Sequence, residues 1–160
     1  GYLSHLKHPT LQQRHRAYQE TLKAHQITPQ QEWVYRKVPQ DFPNYYQYGR
    51  YAMQQWLSDG WEKLGLTAIL AHNDSAAVGM MEILKQHGLQ VPQDVIIVGF
   101  DGVSQGEISP MELTTVSVPL KPLGHPAVPV LLAPSATLIR QRVAVQLPVS
   151  LKIGNTTRQI

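Results

Sequence analysis

Two polar residues near the start of this sequence have the spacing of a small-molecule site. Thr10 and Arg14 are four residues apart, so on a helix they point the same way and offer a hydroxyl beside a planar guanidinium with five N–H donors. Arg14 would stand in the first helical turn, where the helix dipole disfavours a cation, which indicates a task beyond helix stability. The pair suits a hydroxylated or anionic small molecule. The alternative is that Arg14 pairs with a surface carboxylate.

Further polar side chains follow two short apolar runs at residues 68–71 and 95–98. Continuous apolar runs of this length are typical of buried parallel strands, whose carboxyl ends meet at the edge where open α/β sheets bind ligands. Asn73 and Asp101 stand at these ends and are candidate ligands, although both residue types also form ordinary caps and turns. For Asp74 we expect a helix cap.

The sequence lacks the motifs of most catalytic and metal centres. Its seven histidines show no H-E-x-x-H spacing and no acidic cluster, so neither a metal nor another cofactor is expected. There is no cysteine, no phosphate-binding loop, and no sign of a base for Ser75 or Ser104. His72 precedes Asn73 and would either line the crevice or be a hydrogen-bonded residue at the end of a strand.

Composition favours one globular domain. The 160 residues are 42% hydrophobic and 16% charged, a balance that supports a buried core. The net charge is +3, but the 14 basic residues are scattered among 11 acidic ones, so a nucleic-acid surface is not expected. No segment resembles a signal peptide or a membrane span, and the absence of cysteine fits a reducing compartment, so we expect a cytoplasmic protein.

Hydrophobic periodicity predicts alternating helices and strands. We expect helices at 10–25, 48–58 and 75–87, the first opened by a capping box of Thr10 and Gln13. Predicted strands lie at 2–6, 33–35, 68–71, 95–98 and 113–118, and residues 102–110 form a loop. Five prolines between 119 and 134 predict a short or broken helix at 123–132. A last strand at 143–153 and a frayed tail at 155–160 complete the prediction.

Two long motifs resemble the lactose repressor/galactose repressor (LacI/GalR) family of transcriptional regulators. They are TAILAHNDSAAVGMM at 67–81 and VPQDVIIVGFDG at 91–102, and LTTV at 113–116 follows as it does in the family. The resemblance implies an α/β fold, a parallel-sheet lobe of the periplasmic-binding-protein type (type I) with three αβα layers. It also implies that 1–118 form the C-terminal lobe, that 119–142 cross to an N-terminal lobe missing here, and that 143–160 return.

The same resemblance implies an effector site and a dimer interface. The family's polar effector ligands are matched by Thr10, Arg14, Asn73 and Asp101. Phe42 and Tyr45 compete as its aromatic ligand, because the spacing before the next helix is longer here. The candidate residues of the dimer interface are Val78, Met81, Ile108 and Met111, with core packing as the alternative for the first two.

The function implied is binding of a sugar or related effector, and homodimerisation, in a bacterial regulator that controls DNA binding allosterically. Operator DNA would be contacted only by residues absent from this chain, and no enzymatic activity, cofactor or membrane partner is expected. One alternative is an exported sugar-binding protein of the same fold. The other is a small doubly wound enzyme that uses Asp101 as an acid or phosphoacceptor, which is disfavoured because no base, lysine or metal cluster accompanies that aspartate.

Overall fold

A six-stranded sheet is the centre of the computed structural model, which describes residues 1–5, 8–39, 41–103, 111–120 and 147–158. The strands are β1 (Tyr2–Leu3), β2 (Val34–Tyr35), β3 (Ala68–Ala71), β4 (Ile96–Asp101), β5 (Thr114–Ser117) and β6 (Ser150–Lys152). The α-helices are α1 (Pro9–Ala24), α2 (Tyr45–Ser58) and α3 (Asp74–Gln86), and short 3-10 helices span Gln31–Trp33 and Trp61–Leu64.

The strand order is β2-β1-β3-β4-β5-β6. The first five strands are parallel, as predicted, and β6 joins antiparallel to β5 with Val116 opposite Leu151. A parallel neighbour requires a crossover, and helices α1, α2 and α3 supply the crossovers up to β4. The α/β class is therefore confirmed, with a mostly parallel sheet.

Neighbouring residues of β1 show how the sheet separates two helical layers. The Tyr2 ring lies 5.3 Å from the His15 ring and 5.2 Å from the Tyr18 ring, both on α1. Leu3 points the other way and joins the main buried cluster, which includes Met53 of α2 and Met80 of α3. Because successive side chains of a strand face opposite sides, α1 covers one face and α2 with α3 the other. The three αβα layers are confirmed.

Helix α1 begins one residue earlier than predicted. Proline suits the first helical position because it has no N–H to leave unpaired, and Pro9 occupies it. The cap is His8, whose Nδ1 accepts from the backbone N–H of Thr10 at 3.3 Å. The predicted capping box of Thr10 and Gln13 is therefore wrong, and the Thr10 hydroxyl is not used to cap the helix.

The other two helices are capped by asparagine. Asn44 accepts from the N–H of Gln47 at 2.9 Å and starts α2 at Tyr45, three residues before the predicted start. Asn73 accepts from the N–H of Ala76 at 2.8 Å and caps α3. The prediction that Asp74 is the cap is wrong, because Asp74 is the first helical residue and its carboxylate is used elsewhere.

Thr156, near the end of the sequence, is hydrogen-bonded to two strands of the sheet. Thr156 is 0% exposed, its hydroxyl donates to the carbonyl of Ile97 at 2.7 Å, and the same oxygen accepts from the N–H of Thr114 at 2.9 Å. The predicted fraying at 155–160 is therefore wrong for residues 155–158. Strand β6 is shorter than the predicted strand, and residues 143–146, the predicted helix at 123–132 and most of the predicted loop lie outside the described residues.

Candidate functional site

A depression of about 500 Å³ lies at the carboxyl ends of β3 and β4, between the N-termini of α1 and α3. It is lined by His5, His8, Thr10, Leu11, Arg14, Tyr45, His72, Asn73 and Asp101. All four polar ligands predicted from the sequence are in this set. The fold thus brings together these four residues, which are separated by up to 91 positions in the chain, at the sheet edge where parallel sheets bind ligands.

Arg14 is held on three sides. Its Nη1 donates to the carbonyl oxygen of His72 at 2.9 Å, and its Nη2 lies 4.0 Å from a carboxylate oxygen of Asp101. The guanidinium carbon is 3.4 Å from the centre of the Phe100 ring, a cation–π contact. The side chain is still 25% exposed. The acid beside Arg14 is Asp101, which is itself a candidate ligand. The two interpretations of Arg14 from the sequence, a ligand or the partner of an acid, are therefore compatible.

Asp101 has a strained backbone. Its φ is +110°, a conformation that costs on the order of 1–3 kcal/mol for a residue other than glycine and that tends to occur at functional sites. The side chain is 40% exposed toward the depression. Burial raises the pKa of Asp101, the Arg14 charge opposes this shift, and the nearby Asp74 carboxylate reinforces it.

The roles of hydrogen-bond donor and acceptor at the site are divided among Arg14, Asn73 and Asp101. The side-chain oxygen of Asn73 is used to cap α3, so its amide nitrogen is the atom it can offer to a ligand. Arg14 also donates, whereas an ionised Asp101 accepts. Thr10 is exposed in the first turn of α1 and can do either. A ligand hydroxyl, which both donates and accepts, fits between these groups.

Of the two aromatic candidates, the structure brings Tyr45 to the depression. Tyr45 is 41% exposed, and its ring centre lies 4.9 Å from the His72 ring and 6.3 Å from the His5 ring. Phe42 does not line the depression. Its ring is 5.2 Å from that of Tyr48, and it packs against the hydrophobic core.

The His72 side chain is buried among aromatic rings. It is 3% exposed, and neither ring nitrogen has a partner within the described part of the chain, so it is not the hydrogen-bonded residue that the alternative expected. Burial, followed by the His5 and Arg14 charges, lowers the pKa of His72 to about 3, against a small opposing effect of the Leu3 backbone. The imidazole is therefore neutral at physiological pH.

His5, His8 and Leu11 line the depression and were not predicted. The available signal was position: His5 and His8 stand in the connection after β1, at the same sheet edge as Asn73 and Asp101. Connections that follow the carboxyl ends of parallel strands are where such sites form.

A second, more apolar groove of about 650 Å³ lies along α3. Three of the predicted interface residues, Val78, Met81 and Met111, line it together with Leu89 and Val91, while Ile108 lies outside the described residues. Val78 and Met81 are only 4% and 8% exposed, so they also contribute to the core.

Two kinds of feature are absent from the described residues. No group of three or more His, Cys, Asp or Glu side chains could hold a metal ion. None of the helices described is both long and apolar enough to cross a membrane.

Sequence and structure comparisons show what the chain is similar to. The model of the periplasmic binding protein-like domain matches residues 1–157. The chain is 37% identical over 94 residues to the ribose operon repressor of Escherichia coli and 29% identical over 94 residues to the HTH-type transcriptional repressor PurR of Vibrio campbellii. These alignments cover 58% and 59% of this chain and 28% of each repressor.

A solved LacI family transcriptional regulator from Mycobacterium smegmatis superposes with a TM-score of 0.77 at 29% identity. The match covers 98% of this chain and 56% of that one, so the chain spans about half of the solved regulator. The chain therefore belongs to the periplasmic binding protein-like domain family, as the effector-binding region found in regulators of the LacI/GalR family.

Proposed function

We propose that this chain is the effector-binding and dimerisation region of a bacterial LacI-type transcriptional regulator. The observation that carries the proposal is the convergence of Thr10, Arg14, Asn73 and Asp101 on one depression beside a strained backbone. The curated relatives are repressors, which supports a regulator over an exported sugar-binding protein or an enzyme. A regulator acts where the chromosome is, so we place the protein in the cytoplasm.

The proposed effector is a hydroxylated small molecule, a sugar or sugar derivative. Arg14 and Asn73 would donate to its hydroxyl oxygens, and Asp101 would accept from its hydroxyl hydrogens through charge-assisted bonds. Tyr45 adds a partly exposed ring on which the apolar face of a sugar can stack. The similarity to the ribose operon repressor supports this class of effector.

The proposed mechanism is a shift between two conformations. Residues 1–118 and 143–160 would form one lobe, 119–142 would cross to a second lobe, and the effector would bind between them. Closure of the lobes changes the population of the DNA-binding state by the difference in effector affinity between the two states. Operator DNA would be contacted by residues outside this chain.

We place the homodimer interface on the groove along α3. Val78, Met81 and Met111 give it an apolar floor, and oppositely charged Glu82 and Lys85 also line it. In a two-fold symmetric dimer the same patch meets itself, so the apolar residues of one copy would pack against those of the other.

The effector site is tested by calorimetry on the whole protein, after a thermal-shift screen of pentoses, hexoses, their phosphates and nucleobases. We expect Arg14→Ala and Asp101→Ala each to weaken binding of the most stabilising compound by about 2 kcal/mol or more, because a buried polar partner loses its bond. Arg16→Ala is the matched control, since Arg16 is exposed on the same helix and should leave the affinity unchanged.

Unchanged affinity in both site variants would refute the assignment. Turnover of a sugar ester by the purified protein, lost in Asp101→Asn, would favour the enzyme alternative instead.

A further inference from the structure

Two buried side chains next to the depression, Asp74 and Thr115, are hydrogen-bonded to each other and do not line the depression. Asp74, at the start of α3, is 1% exposed, and Thr115, on β5, is 3% exposed. The Thr115 hydroxyl donates to one carboxylate oxygen of Asp74 at 2.5 Å. Each of the two has a further bond, and both of these bonds go to the backbone that follows Asp101.

The backbone after Asp101 is held at two successive residues. The N–H of Gly102 donates to the Thr115 hydroxyl at 3.3 Å, and the N–H of Val103 donates to the second carboxylate oxygen of Asp74 at 2.7 Å. The three side-chain bonds form a closed network that joins α3, β5 and the end of β4. Its strongest members have a carboxylate acceptor, and such bonds are stronger than neutral ones.

This arrangement depends on glycine at two positions. A Cβ at Gly99 would lie 2.3 Å from the Asp74 carboxylate, so only glycine lets that carboxylate lie against β4. Gly102 has φ +74°, which continues the turn that starts with the positive φ of Asp101. A strained conformation persists only where its surroundings over-determine it, and the Asp74–Thr115 network provides that constraint.

We propose that Asp74 and Thr115 are positioning residues that hold residues 101–103 in the turn presenting the Asp101 carboxylate to Arg14 and to the effector. The part that concerns the effector rests on the proposed function, whereas the part that concerns the conformation of Asp101 does not. The proposal gives a task to Asp74 and to Thr115 of the LTTV motif, neither of which contacts the depression.

The test compares three substitutions on β5. Thr115→Val keeps the shape of the side chain and removes the hydroxyl, and Thr115→Ser restores the hydroxyl. Thr114→Val is the matched control, because Thr114 is 2% exposed and its hydroxyl bonds to Thr157 and Gly154, away from Asp101.

The first measurement is independent of any effector: crystal structures of the variants, with amide hydrogen exchange at residues 102 and 103. In Thr115→Val we expect Asp101 to leave its positive φ and the two amides to exchange about tenfold faster, as for a lost hydrogen bond of ordinary strength. Thr115→Ser and Thr114→Val should retain the conformation and the protection. An unchanged Asp101 and unchanged exchange in Thr115→Val would overturn the proposal.

The second measurement is the affinity of the whole protein for D-ribose by calorimetry. We expect Thr115→Val to bind about tenfold more weakly, with Thr115→Ser and Thr114→Val close to the unsubstituted protein. Equal weakening by Thr114→Val and Thr115→Val would indicate a purely structural role and overturn the proposal. If the unsubstituted protein does not bind D-ribose, that effector is wrong, and the first measurement still decides the role of the Thr115 hydroxyl and its bond to Asp74.

Discussion

The single residue His72 contacts both the site and the core. Its carbonyl oxygen holds Arg14, while its ring lies among aromatic rings with both nitrogens unpaired in the described structure. A buried polar group without a partner costs free energy, so the folded state tolerates only the neutral imidazole.

We predict that His72 makes the protein less stable as the pH falls from about 7 to about 5. The unfolded chain takes up a proton below the ordinary pKa of 6.5, but folded His72 stays neutral down to about 3, so acidification favours the unfolded state. Urea unfolding across this pH range should show that the free energy of unfolding falls more steeply in the unsubstituted protein than in His72→Phe, which keeps a ring in place.

Gln54→Ala, an exposed position on α2 without a titratable group, is the control for this measurement and should leave the pH dependence as it was. His15, whose pKa burial also lowers, acts in the same direction in all variants, so the comparison isolates His72. An identical pH dependence with and without His72 would contradict the prediction.

Neighbouring residues also show where prediction from sequence stops. The four-residue spacing of Thr10 and Arg14 was enough to place both at one site. Asn73 and Asp74 are equally good caps by residue type, and their roles were decided by Thr115, a residue 41 positions away that binds the Asp74 carboxylate. Local patterns contain no information about such a partner.

At the scale of elements, α2 and α3 approach so closely that side chains are excluded. A Cβ at Gly79 would lie 2.1 Å from the carbonyl oxygen of Tyr46, and one at Gly49 would lie 2.1 Å from the carbonyl oxygen of Ala76. This contact fixes α3, whose N-terminal end carries the cap Asn73 and the first helical residue Asp74.

We predict that Gly79→Ala lowers the free energy of unfolding by about 1–3 kcal/mol, because the added methyl group forces the two helices apart in a close-packed core. Denaturant unfolding measures the change. Gln86→Ala, at the exposed end of α3, should change it by no more than about 0.5 kcal/mol. A Gly79→Ala variant as stable as the unsubstituted protein would show that the helices can separate freely.

The elements that were predicted well are those with a buried, regular face. The sequences of strands β3 and β4 contain apolar runs, and those of α1 and α3 show helical periodicity. Strand β6 has three exposed residues, so its pattern carries no burial signal. Thr156 was predicted to be in a frayed tail because it lies near the end of the sequence. It is nevertheless buried, because its hydroxyl and backbone bridge Ile97 and Thr114.

For the assembly of the protein, we predict that Met81→Glu dissociates the proposed homodimer into monomers. Met81 lies on the floor of the groove along α3, beside Glu82, so the substitution would bury a second negative charge in an apolar contact. Sedimentation velocity at micromolar concentration measures the shift. Lys63→Glu, on the exposed surface of the second 3-10 helix, is the control and should remain dimeric. If the Met81→Glu variant remains dimeric, the interface lies on another surface.

The hydrogen bonds of Thr156 to β4 and β5 also have a consequence for the order of folding during synthesis. Thr156, which bonds to both β4 and β5, is 59 positions from Ile97, and residues 118–149 separate β5 from β6 in the sequence. Contacts this distant in sequence form late and slow the search for the native state. While the ribosome is still adding residues 121–155, the carbonyl of Ile97 and the N–H of Thr114 lack the partner they have in the finished sheet. A nascent chain therefore exposes an incomplete sheet edge at β5, on which chaperones or aggregation can act, until the residues of β6 and Thr156 have been synthesised.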